Sequence, residues 1–110
     1  MTKVTFYQNS DRQCVGFEAK DHAGYAEEGD DIVCAAVSAL VINTVNSIEV
    51  FADDEMTVES DPEQALIRMR VKGVPTPSCQ LLLNSLILGL QRMEDDEQYT
   101  EFIDIIFEEV

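Results

Sequence analysis

Two residues of this chain could together carry nucleophilic chemistry. His22 is the single histidine, and a short polar stretch separates it from Cys34. A cysteine attacks a carbonyl as its thiolate, which a nearby imidazole or a helix N-terminus favours. The residues after Asp30 predict a helix with Asp31 as N-cap, which would put Cys34 at the third helical position. Unpaired amides there would stabilise the thiolate and an oxyanion, so the pair indicates acyl-transfer chemistry.

Four neighbouring residues could support such a pair. Ser38 follows Cys34 by one helical turn and is predicted on the same helix face. Asp31 could orient His22 as well as cap the helix. The polar segment 21–30 is predicted as a long loop, and Gly24 and Gly29 would let it close over a substrate.

The spacing leaves other interpretations open. A cysteine in an apolar helix is commonly a core residue, and a lone histidine before a helix is commonly solvated. Cys79 is also predicted in the first turn of a helix, after Thr76-Pro77. The local physics does not choose between Cys34 and Cys79, because Asp30 and Asp31 would oppose a thiolate at Cys34. Cys14, on a predicted strand, is interpreted as a packing residue.

The elements that must position these residues predict an α+β fold. The pattern indicates one domain over residues 1–110, a two-layer sandwich with helices packed on a mainly antiparallel sheet. The order is β-β-α-β-β-α, with a possible final strand at 102–110, where a helix pattern also fits. The first helix, from about Ile32 to about Val50, is apolar nearly all round, which indicates burial on more than one side. The other predicted elements are strands around Val4–Phe6, Val15–Ala19, Met56–Glu59 and Ile67–Val71 and a helix from Pro77.

Composition narrows the function classes. The net charge of -15 argues against nucleic-acid binding and favours basic partners. Three dispersed cysteines predict free thiols in a reducing cytoplasm, and one histidine argues against a metal site. We expect no cofactor. No signal-peptide layout opens the chain, and no run is expected to span a membrane.

The segment from His22 to Leu40 contains His22-Ala-Gly-Tyr-Ala26, then Gly29, then Asp31-Ile-Val-Cys-Ala-Ala-Val-Ser-Ala-Leu40. With these residues at this spacing, it resembles the ribosomal-processing cysteine protease family (Prp). Length, element order and the acidic C-terminal region are also similar. The family commonly has glycine where this chain has Asp21.

The resemblance implies an endopeptidase that removes the N-terminal extension of a large-subunit ribosomal protein after an aromatic residue. It implies that Cys34 is the nucleophile and His22 the general base, with Asp31 and Ser38 nearby, and that the protein is a homodimer. Two other functions stay open from the residues alone. One is a non-catalytic acidic module that binds a basic ribosomal protein. The other is a thiol redox sensor, against which the lack of a clear resolving cysteine counts.

Overall fold

The computed structural model describes residues 1–21 and 28–110, and for residues 28–30 it describes the backbone alone. The described residues form seven regular elements and two short 3-10 turns, at Pro62–Gln64 and Thr100–Phe102. The elements are β1 (Thr2–Gln8), β2 (Cys14–Asp21), α1 (Glu28–Phe51), β3 (Met56–Asp61), β4 (Leu66–Val71), α2 (Pro77–Asp95) and β5 (Ile103–Glu109). The predicted α+β class and element order are confirmed, including the final strand.

The strands form one mixed sheet in the order β3-β4-β2-β1-β5. Three neighbouring pairs are antiparallel, and β1 with β5 is parallel. Helix α2 connects β4 to β5, which run in the same direction, as is usual for a helical crossover, and β1 is parallel to both. The first and last strands in sequence are therefore hydrogen-bonded neighbours.

Alternation along the strands places the core on one face of the sheet. Val4 and Phe6 are fully buried, whereas Lys3 and Thr5 between them point to the opposite, more open face. Both helices contact β1 or β2 and each other. The core combines residues from the strands and helices: Val4, Phe6, Phe17, Met69, Val33, Val37, Val41, Ile48, Leu83 and Leu90.

Helix α1 starts earlier than the sequence pattern predicts. It begins at Glu28, so the expectations that Asp31 is the N-cap and that Cys34 is the third helical residue are wrong. The apolar periodicity begins only at Ile32, yet the preceding turn is acidic, and acidic residue types are favoured in a first turn. Gly29 therefore belongs to the helix and not to a loop. Asp21 ends β2.

The remainder of the predicted loop, residues 22–27, lies outside the described part of the chain. It contains His22 and Gly24.

The expectation that no run could span a membrane is also wrong. By length and composition alone, the stretch Asp31–Phe51 of α1 is apolar enough. Core helices of soluble proteins pass the same test, and Val33, Val37 and Val41 pack this helix into the core. Of the apolar window, 33% is buried, so packing within the fold accounts for part of the apolar character of α1.

Candidate active site

The three thiols differ in their access to solvent. The side chains of Cys14 and Cys79 are 1% and 0% exposed, whereas Cys34 is half-buried. A nucleophile must reach its substrate as an accessible thiolate, so exposure separates these residues where sequence spacing does not.

Cys79 has a helix N-terminus but not the environment of a nucleophile. Its backbone N–H donates to Thr76 Oγ1 over 3.3 Å, which confirms the predicted cap of α2. Burial, followed by the nearby Asp54 carboxylate and Cys14, raises the pKa of the Cys79 thiol to about 11. The thiol is therefore protonated near neutral pH, and Cys79 is unsuited to attack a carbonyl.

Cys14 has a packing environment, as its strand position predicts. Its thiol donates to the carbonyl oxygen of Gly16 over 3.4 Å. Burial raises the pKa of this thiol as well. Cys34 remains as the candidate nucleophile.

Cys34 opens into a small cavity between α1 and the ends of the neighbouring strands. The cavity holds about 20 Å³, enough for one water-sized group. Ser38 lines it too, in agreement with the prediction that the two residues share one helix face. The complete lining is Thr2, Ala19, Lys20, Asp21, Cys34, Val37, Ser38, Val41, Ala65 and Ile67.

A wider groove continues from this cavity towards the edge of the sheet. It encloses about 220 Å³ and shares Ser38, Ala65 and Ile67 with the cavity. Beyond them it is lined by Ser60, Asp61, Pro62 and Leu66. We call the cavity and this extension together the Cys34 groove. An extended chain lying in the groove would pass the thiol.

The position of Cys34 in α1 reduces the stabilisation that the helix N-terminus can give to its thiolate. As the seventh residue of α1, Cys34 lies beyond the first turn, where the free amides and most of the dipole effect are found. The helix terminus therefore gives the thiolate less support than the third-position prediction implied.

Of the other predicted site residues, Asp31 and Gly29 are in α1, and His22 and Gly24 lie outside the described part of the chain. Asp31 is exposed on the first turn of α1, at the same end of the helix as Cys34. Within the described ranges, no three His, Cys, Asp or Glu side chains are grouped to hold a metal ion.

The turn after β3 supplies groove residues that the sequence analysis did not assign to the site. Asp61 caps the 3-10 turn, and Ala65 ends it in the left-handed conformation, with φ 47° and ψ 47°. The backbone N–H of Asp21 donates to the carbonyl oxygen of Ala65 over 3.2 Å. The pattern Ser-Asp-Pro-Glu signals this turn, but only the sheet order brings it beside Cys34.

Comparisons with known proteins identify the family of this chain. The family model described as cysteine protease Prp matches residues 1–104. The chain belongs to the cysteine protease Prp family. Two Prp relatives are both named ribosomal processing cysteine protease Prp. The protein from Bacillus subtilis strain 168 is 30% identical over 100 residues, covering 87% of this chain and 89% of the relative. The protein from Staphylococcus aureus strain Mu50 is 32% identical over 82 residues, covering 74% and 76%.

A solved Prp structure has the same fold. The S. aureus ribosomal processing protease Prp, crystallised with a covalently linked product peptide, superposes with a TM-score of 0.84. Sequence identity is 27%, and the match covers 98% of this chain and 100% of the other. The resemblance noted in the sequence is thus confirmed at the level of the family and of the fold.

Proposed function

We propose that this chain is a cysteine endopeptidase that removes the N-terminal extension of a large-subunit ribosomal protein and so supports ribosome assembly. Cys34 is the nucleophile and His22 the general base of a Cys–His dyad. One observation carries the proposal: in a member of the Prp family, Cys34 is the thiol that opens into a groove, whereas Cys14 and Cys79 are buried. The names of the relatives supply the substrate class.

The proposed reaction is acyl transfer in two stages. The Cys34 thiol gives its proton to His22, and the thiolate sulfur bonds to the scissile carbonyl carbon. The tetrahedral intermediate collapses as the carbon–nitrogen bond breaks, and His22 protonates the departing amine. Water then attacks the thioester with His22 as base, which releases the new carboxyl terminus and restores the thiol. Ser38 lines the cavity beside the reacting sulfur, where its hydroxyl can bond to the substrate.

The charge of the protein suits a ribosomal substrate. The chain carries 22 acidic and 7 basic residues, and ribosomal proteins are basic. Opposite net charges accelerate encounter, and the effect falls with ionic strength. The negative net charge of the protein would repel the phosphates of nucleic acid. We therefore expect the protein to bind its protein substrate without itself contacting RNA.

The expected setting is the cytoplasm, with the protein as a homodimer and no membrane association. None of the three cysteines forms a disulfide, which suits a reducing compartment. Exposed apolar side chains on α1, among them Ile42, Val50 and Phe51, offer a surface that a second copy could cover.

A cleavage assay tests the proposal. Wild type, Cys34→Ala and His22→Ala are mixed with a precursor ribosomal protein that retains its extension, and products are read by mass. Cys79→Ala and Cys14→Ala are matched controls, because they remove buried thiols. One defined cut by wild type and both controls, lost in Cys34→Ala and His22→Ala, is expected.

Two results would contradict it. If Cys79→Ala alone abolished the cut while its circular dichroism showed an intact fold, Cys79 and not Cys34 would be the nucleophile. No cut by any form, with a stable complex instead, would favour the acidic binding module, for which the net charge of -15 is the supporting observation.

A further inference from the structure

The wider part of the Cys34 groove contains one carboxylate among the described residues, whereas Lys20 and Asp21 line the cavity at Cys34. Among the described residues that line its wider part, Asp61 alone is charged. Resting on the proposed function, we infer that Asp61 selects a basic side chain of the substrate, about three residues from the scissile bond. Asp61 then acts as a specificity residue, and the chemistry stays with the Cys34 dyad.

The position follows from the strand register. Asp61 on β3 pairs with Leu66 on β4, and Leu66 pairs with Lys20 on β2. Lys20 lines the cavity at Cys34. Adjacent strands are about 4.8 Å apart, so two steps cover about 10 Å. An extended peptide advances roughly 3.3 Å per residue, so about three residues cover this distance.

The environment of Asp61 suits a half-buried ion pair with a substrate cation. Its side chain is held in place because Oδ1 accepts the backbone N–H of Glu63 over 3.1 Å. Within the described part of the chain, no lysine or arginine forms an ion pair with it. Asp61 is itself half-buried, which reduces screening of its charge by water.

The groove walls fit the rest of a long basic side chain. Pro62, Leu66 and Ile67 line the same part of the groove as Asp61. Apolar walls cover the methylene stem of lysine or arginine while the charged end reaches a carboxylate. A substrate glutamate in the same place would be repelled by the Asp61 carboxylate and would lose contact with water, so it should bind less well.

A substrate scan with charge-swapped enzymes tests the inference. Each position within five residues of the cut, on both sides, is replaced in turn by Lys, Gln and Glu, and kcat/KM is measured. With wild type, one position about three residues from the bond should favour Lys over Glu by about tenfold or more. Asp61→Asn keeps the turn cap, because asparagine caps as well as aspartate. This variant should reduce the preference below about twofold, and Asp61→Lys should reverse it.

Glu63→Gln is the matched control, since it removes one charge from the exposed side of the same turn. It should keep the wild-type preference. If cleavage proceeds but no position favours Lys, or if Asp61→Asn retains the preference, the inference about Asp61 is wrong. The proposed protease function would be unaffected by that result. If no variant, including wild type, cleaves any substrate, the proposed function itself fails.

Discussion

The backbone N–H of Asp21 donates a hydrogen bond to the carbonyl oxygen of Ala65 over 3.2 Å. Asp21 is the residue before His22, and Ala65 lines both parts of the Cys34 groove. This bond ties the end of β2 to the turn at 61–65. The backbone that leads into the proposed base and the wall of the proposed substrate groove are therefore held together.

Ala65→Gly should stabilise the protein and preserve this link. A left-handed alanine costs about 1–2 kcal/mol, whereas glycine adds about 0.5–1 kcal/mol of unfolded-state entropy, so the net gain is roughly 0.5 kcal/mol. Urea unfolding measures it. Ala39→Gly, at an exposed position inside α1, should instead destabilise by about 1 kcal/mol. Equal destabilisation by both variants would contradict the left-handed conformation.

Iodoacetamide should modify Cys34 selectively in the native protein. Cys34 opens into the groove, whereas Cys14 and Cys79 are buried with pKa values raised by that burial. Intact mass at pH 7.5 should show one adduct, and peptide mapping should place it at Cys34. Three adducts are expected in urea, one for each cysteine, and none in native Cys34→Ala. Rapid native labelling of Cys79 would show that the core around it opens.

Stability should fall as the pH rises from about 9 to about 11. Burial raises the pKa of Cys79 from 9.0 in the exposed state to about 11 in the folded protein. The contribution of the protonated Cys79 thiol to stability is therefore complete below pH 9.0, the pKa of the exposed thiol. It is lost as the pH rises through about 11, the pKa in the folded protein. The loss is at most about 3 kcal/mol. Urea unfolding under reducing conditions should show a shallower decline for Cys79→Ala. Parallel pH profiles would argue against the raised pKa.

Two glycine-to-alanine substitutions should change the stability of the protein in opposite directions. At Gly16 a Cβ would overlap the carbonyl oxygen of Met69 and lie 2.7 Å from Arg70 Cδ. Because Gly16 is at the centre of the sheet, Gly16→Ala should destabilise by about 2 kcal/mol or more. At Gly89 the nearest contact is Leu40 Cδ1 at 3.7 Å, so Gly89→Ala should stabilise by up to about 1 kcal/mol through helix propensity. Thermal unfolding of the pair checks both signs, and a shared sign would contradict the packing described here.

Local patterns predicted most of the fold. Alternation of apolar residues placed β1, β2 and β4, and Thr76-Pro77 placed the start of α2, because a cap and an N1 proline leave a signal in neighbouring residues. The start of α1 was misplaced because an acidic first turn has no apolar period. The strand order was not predictable, since pairing between β1 and β5 joins residues from opposite ends of the chain.

The site was predictable only in part for the same reason. Cys34 and Ser38 share a helix face, which spacing alone reveals. Cys34 and Cys79 have similar local sequences, since each follows an acidic or capped turn. Burial distinguishes them, and the local sequence does not reveal it. Asp61 and Ala65 reach the groove only through the register of β3, β4 and β2, which no short motif encodes.

The parallel pairing of β1 with β5 has a consequence for synthesis. Thr2 on β1 lines the cavity at Cys34, and β1 receives its second neighbour only when Ile103–Glu109 pairs with it. During translation one edge of β1 therefore stays unpaired until Ile103–Glu109 has been synthesised and has left the exit tunnel. Until then the strand that carries Thr2 is an open edge strand, which is the kind of edge that other chains can pair with.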